Sequence, residues 1–359
     1  MGALLENILV GVLSAYLAGT NSLALAIEGW LLSVPEEAPM AVEENVAFTV
    51  FPEWFTPAEV SEEIEEDNVE ELSPASVPTE DFSLEPIVWT DTIVNIYCQY
   101  FTPGQVRSMS GTGFFASSDG AILTNAHVAQ FLLLEYLDQG DARCFVGTGE
   151  TSTATFEVDL LYISPTWILE NSELIATRTP RGNGANDFAI LYVTGSLDGE
   201  SVPDNIPYLA VDTGLLKKDV AADTVFIAGY PASTGDNELK GTQRHTATTT
   251  VARLYTLGTN YADILSLLGS SLGERGVSGG PVVNEAGKVI GLITTLGNDE
   301  IQGAGSLNAI TISYINRSIL KETGYDLTAN INGDLEVRAN IFKNTLVPWL
   351  AKELGEALE

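Results

Sequence analysis
The sequence predicts an antiparallel all-β body of sandwich or barrel type with non-β segments at both ends, and three observations support that class. Apolar, β-branched runs of strand length recur from Ile87 onward, separated by Gly, Pro, Asn or Asp. No long helical periods alternate with them, which argues against a parallel sheet with crossover helices. With 359 residues, 45% of them hydrophobic, the chain can build two sizeable cores.

Residues 1–33 form the first segment. Asn7 to Ile27 carry no charge and approach the length of a membrane span, although Gly19-Thr20-Asn21-Ser22 interrupts the run. An anchor, a signal segment ending in the small-x-small pattern Ala24-Leu25-Ala26, and an apolar helix packed on a soluble body are all compatible with it. The basic flank of a signal peptide is missing, so charge gives no orientation. Membrane targeting or anchoring is the favoured expectation, with the remaining chain extracytoplasmic, either membrane-anchored or secreted.

Residues 34–86 are rich in Glu, Pro, Ser and Ala, as in Glu62-Glu63-Ile64-Glu65-Glu66-Asp67. Uncompensated like charges repel and extend a chain, so this stretch reads as an acidic spacer. One apolar interruption, Val46 to Phe51 followed by Trp54-Phe55, offers a docking patch for a partner or for the next domain.

The β body spans residues 87–327. Its clearest strands are Ile93 to Tyr97, Gly113 to Ala116, Ala121 to Thr124, Phe188 to Val193, Thr224 to Ala228 and Val289 to Ile293. The polar stretch 196–207 divides it into halves of similar length. In residues 328–359, Leu335, Val337, Ile341, Phe342, Leu346, Trp349, Leu350 and Leu354 fit a helical stripe that Pro348 should kink or restart. Such a stripe packs on the body or binds a partner.

Charge narrows the function. There are 49 acidic and 16 basic residues, a formal net charge of -33, and the first Lys or Arg is Arg107. That field repels nucleic acids and anionic headgroups, so nucleic acid is not an expected partner. The two cysteines, Cys98 and Cys144, are too few for a zinc cluster of the usual spacing, and no metal or other cofactor is expected. Two readings stay open for them: a disulfide in an oxidising compartment, or two buried thiols.

Chemistry concentrates at Gly276-Val277-Ser278-Gly279-Gly280-Pro281, where one hydroxyl sits among glycines. A serine nucleophile needs a base, and it needs N–H donors aimed at the charge that develops on the attacked carbonyl; glycines let backbone amides approach closely. Only two histidines are available. His127 follows a strand among small residues, in Thr124-Asn125-Ala126-His127-Val128, whereas His245 in Gln243-Arg244-His245-Thr246 reads as an exposed loop residue. Several aspartates lie between His127 and Ser278. Asp187 is distinguished by opening an apolar strand after a flexible stretch, where a partly buried acid needs a partner.

The order His127, Asp187, Ser278 and these contexts resemble the trypsin-like (chymotrypsin-fold) serine peptidases, in particular the HtrA/Deg-like branch. The matching stretches are Gly111-Thr112-Gly113-Phe114, Thr124 to Val128, Asn186 to Leu191, Gly276 to Pro281 and Gly287 to Gly291, within about residues 88–325. The resemblance implies two antiparallel β-barrels, with His127 and Asp187 from the first and Ser278 from the second. It also implies an oxyanion hole formed by the amides of Gly276 and Ser278, and polypeptide substrates. By the same resemblance a substrate strand pairs near Thr294, Thr295 and Leu296, while Leu272 lies near the base of the first specificity pocket, whose apolar lining suits a small or medium apolar side chain.

Two departures from the family stand out. Val277 occupies the place where the trypsin branch carries an acid that pairs with a newly cut N-terminus. The roughly thirty residues beyond the barrels are too few for the PDZ domain of many HtrA relatives. The expected activity is that of a serine endopeptidase; the alternatives are an inactive peptidase-fold binding or scaffold protein and an esterase using the same residues.

Overall fold
The computed structural model describes residues 89–102, 105–137, 141–176, 184–216, 220–232, 242–257 and 261–358. The apolar segment 1–33, with its expected helix, and the acidic stretch 34–86 lie outside the described residues. Among those described, no helix is long and apolar enough to cross a membrane.

Two closed barrels of six strands each make the body. The first comprises β1 (Ile93–Thr102), β2 (Gln105–Phe115), β3 (Ala121–Thr124), β4 (Asp141–Thr148), β5 (Thr153–Ile163) and β6 (Ala189–Ser196), in the order β1-β2-β3-β6-β5-β4. The second comprises β7 (Thr224–Gly229), β8 (His245–Tyr255), β9 (Ile264–Leu267), β10 (Pro281–Val283), β11 (Val289–Leu296) and β12 (Leu307–Thr311), in the order β10-β11-β12-β9-β8-β7. Every strand pairing in both is antiparallel. Closure leaves no row of unpaired backbone groups at a sheet edge.

Strands such as β3, buried along its whole length, fill the barrel interiors with Ile, Leu and Val. In the first barrel Cys98 and Cys144 face each other across the β1–β4 pair and form a disulfide, which settles the two readings that the sequence leaves open.

The C-terminal region is helical and begins earlier than the apolar stripe indicates. Helix Ile312–Thr323 follows β12 directly, started by Thr311 Oγ1 accepting from Tyr314 N–H at 3.1 Å and ended by Gly324 in the left-handed conformation. Helices Leu327–Ile331, Leu335–Thr345 and Val347–Glu356 follow. Pro348 restarts the chain in the first turn of the last helix, where its missing N–H leaves no bond unmade. Leu335, Ala339 and Phe342, at i, i+4 and i+7, join the first barrel's core, as do Leu350 and Leu354. Val337, Ile341 and Trp349 belong to the stripe but point outward, because a helix packed on a barrel buries one face only.

Candidate active site
His127 and Asp187 meet because their strands are neighbours. Strand β3 pairs with β6 so that Thr124 lies opposite Ala189. The chain leaves β3 through Asn125 into the short helical turn Ala126–Ala129, which carries His127, and enters β6 through the turn that carries Asp187. The Asp187 carboxylate is engaged at both oxygens: Oδ2 lies 2.8 Å from His127 Nδ1, and Oδ1 accepts from the His127 backbone N–H at 3.0 Å. A carboxylate there makes Nδ1 the protonated nitrogen and leaves Nε2 able to accept. Asn125 Nδ2 donates to the Asp187 carbonyl at 2.8 Å, and Gln130 Nε2 donates to the His127 carbonyl at 2.9 Å. Asp187 is 4% exposed, so the acid is shielded from water and its attraction for the imidazole is little screened.

The Ser278 loop is held by its carbonyls. Arg275 C=O accepts from Ala232 N–H at 2.8 Å, Val277 C=O from Gly280 N–H at 2.9 Å, and Ser278 C=O from Thr112 N–H at 2.7 Å. Gly276 C=O accepts from Thr112 Oγ1–H at 2.7 Å. In a trans peptide the N–H points opposite to the C=O. Fixing the Arg275 and Val277 carbonyls therefore turns the N–H groups of Gly276 and Ser278 to the opposite side, where neither meets an acceptor among the described residues. This path needs φ of 93° at Gly276 and 88° at Gly279, and a Cβ on Gly279 would run into the Thr112 carbonyl.

Thr112, on β2 and fully buried, joins the two sides. Besides its bonds to Gly276 and Ser278, its hydroxyl accepts from Tyr230 N–H at 2.9 Å and its carbonyl accepts from Thr124 Oγ1–H at 2.7 Å. Thr124 is three residues before His127, so one residue links the serine loop to the histidine strand. The sequence places Thr112 inside a matching motif but gives no sign of this role, which depends on contacts about 164 residues apart. Ser278 Oγ lies 3.5 Å from the Thr294 carbonyl, and among the described residues no hydrogen bond joins it to the imidazole. Such bonds are commonly long without substrate.

Of the expected substrate-binding residues, Thr294 sits beside Ser278 at the point where the β11–β12 register shifts. Thr295 is half-buried, and Leu296 is 55% exposed at the end of β11. Leu272 is fully buried in the second barrel's core. His245 is exposed, but it begins β8 rather than lying in a loop. Val277 is buried against Gly229 in the second barrel's apolar core. Among the described residues no cluster of His, Cys, Asp and Glu could hold a metal ion.

Paired six-stranded barrels with a histidine and an acid on one and a glycine-bound serine on the other define a class of peptidase. The family model for the trypsin-like peptidase domain matches residues 111–292, just over half of the chain, and the chain belongs to that family. No curated protein matches it.

Proposed function
We propose that the chain is a serine endopeptidase of the HtrA/Deg-like branch, acting through Ser278, His127 and Asp187. The observation that carries this reading is the serine loop, in which pinned carbonyls leave the Gly276 and Ser278 N–H groups without an acceptor among the described residues. Ser278 Oγ attacks the scissile carbonyl carbon as its proton passes to His127 Nε2. The carbonyl oxygen becomes negative and accepts from the N–H groups of Gly276 and Ser278. Asp187 holds Nδ1–H and stabilises the imidazolium. His127 then gives its proton to the departing amine, leaving an acyl-enzyme that water hydrolyses by the same steps in reverse order of partner.

Substrate would enter as an extended strand along Thr294, Thr295 and Leu296. The buried Leu272 supports an apolar base for the first specificity pocket. The Cys98–Cys144 disulfide supports a location in an oxidising compartment, in keeping with an N-terminal targeting or anchoring segment.

The test is labelling of the full-length protein with a fluorophosphonate probe, together with cleavage of a peptide library. Wild type should label and cleave, and Ser278→Ala should lose labelling and about five to six orders of magnitude in kcat. Folded wild type that neither labels nor cleaves would refute the reading.

A further inference from the structure
The turn that presents Asp187 is held from the helix that follows the second barrel. Asp187 N–H donates to Gly184 C=O at 3.3 Å and Phe188 N–H to Asn186 C=O at 2.8 Å, so the chain reverses sharply around the acid. Asn186 pays for this geometry with a φ of 56°, a left-handed conformation that a residue bearing a Cβ enters at a cost. It does not hold that conformation alone. Tyr314, in the first turn of helix Ile312–Thr323, donates its phenolic O–H to Asn186 Oδ1 at 2.9 Å and accepts from Asn186 N–H at 3.2 Å. One hydroxyl thus satisfies both the side chain and the backbone of the residue next to the acid.

The same helix grips the first barrel a second time. Glu322, near its other end, accepts from Tyr162 O–H, from Ser164 Oγ–H at 3.1 Å and from Thr166 Oγ1–H at 2.6 Å. Tyr162 in turn stacks on Phe188, the residue after Asp187, with ring centroids 6.0 Å apart. The helix that follows β12 therefore reaches the residue before Asp187 directly, through Tyr314, and the residue after it through Tyr162 of the first barrel.

We infer that Tyr314 is a positioning residue for the reaction: its hydroxyl holds Asn186 in the left-handed conformation that aims the Asp187 carboxylate at His127. It touches neither substrate nor the reacting atoms. The inference rests on the peptidase reading for its kinetic consequence, but not for its structural one.

The experiment compares full-length wild type with Tyr314→Phe, Asn186→Gly and the double variant. Two readouts are used: peptide kinetics per probe-titrated active site, and the proton resonance of the His127 Nδ1–H. With only two histidines in the chain, His245→Gln assigns that resonance. Tyr314→Phe should lower kcat by roughly ten- to a hundred-fold with little change in KM, and should move or broaden the Nδ1–H signal. Glycine enters the left-handed region without strain, so the same change should cost much less in the Asn186→Gly background. Tyr325→Phe, at a 67% exposed tyrosine, is the control and should leave kcat unchanged.

Wild-type kcat and an unmoved resonance in Tyr314→Phe would overturn the inference. So would a loss of activity explained entirely by fewer titratable sites, which is the signature of a residue needed only for folding. If wild type never labels, the peptidase reading fails, and the Nδ1–H resonance still decides the role of Tyr314.

Discussion

The two barrels hold their functional pieces in opposite ways. On the first, the histidine and acid are fixed by side-chain bonds to carboxylate and carbonyl oxygens, as in His127 Nδ1 to Asp187 and Asn125 Nδ2 to the Asp187 carbonyl. On the second, the serine loop is fixed largely through its own carbonyls, while the N–H groups of Gly276 and Ser278 meet no acceptor among the described residues. On the proposed reading, the difference follows from the chemistry each half would perform. A base needs its ring orientation set, whereas a site for developing negative charge needs donors that nothing else has claimed. Each piece is also gripped from elsewhere in the chain: Thr112 of the first barrel holds the serine loop, and Tyr314, in the helix that follows the second barrel, holds the turn of the acid. The cleft is thus built from cross-braces.

Removing the acid's function should break the first half alone and give the largest effect of the three predictions that follow. Asp187→Asn keeps the size of the side chain but no longer favours the proton on Nδ1, so Nε2 ceases to be the acceptor. The expected loss is about four orders of magnitude in kcat. Because the N–H groups of Gly276 and Ser278 are untouched, a peptide aldehyde or boronate should still bind. Loss of both turnover and inhibitor binding would show that the halves are not separable in this way.

Thr112→Val makes the reciprocal break. Valine keeps the shape and removes the hydroxyl that donates to Gly276 and accepts from Tyr230, leaving two buried backbone groups without a partner. A fall of roughly ten- to a hundred-fold in kcat is expected, with the His127–Asp187 hydrogen bond unchanged by NMR. Thr112→Ser restores the hydroxyl and should recover most of the rate. If serine rescues no better than valine, the methyl packing matters and the hydroxyl does not.

Much of this was legible in the sequence, and the rest was not for physical reasons. Strands such as Ala121–Thr124 and Ala189–Ser196 declare themselves because both are apolar and short. Strand His245–Tyr255 is hidden by its threonines, which stand on both faces: Thr246 and Thr248 are exposed and Thr249 is buried, so no apolar alternation marks the inward side. His127 and Ser278 stand out through scarcity and local composition, and Asp187 through an acid placed at the start of an apolar strand. Thr112 and Tyr314 carry no local mark. Their significance lies in bonds to residues 164 and 128 positions away, which only the closed barrels bring together. Helix Ile312–Thr323 falls inside the stretch 87–327 that the sequence assigns to the β body, and it follows β12 without a loop to mark the change.

The disulfide sharpens the comparison through stability rather than rate, and its effect on turnover should be the smallest. Cys98 and Cys144 are 46 residues apart and join β1 to β4, strands that carry neither His127, Asp187 nor any residue of the serine loop. Closing a loop of that size restricts the unfolded chain and typically contributes about 2–4 kcal/mol. The double variant Cys98→Ser/Cys144→Ser should therefore melt at a clearly lower temperature, while kcat at a temperature where it is folded stays within about two-fold of wild type. The second barrel has no equivalent bond, since both cysteines of the chain lie in the first. If removing the disulfide lowers kcat in parallel with stability, strain in β1–β4 reaches the site. Thr112, paired with Asn95 of β1, is then the route by which it travels.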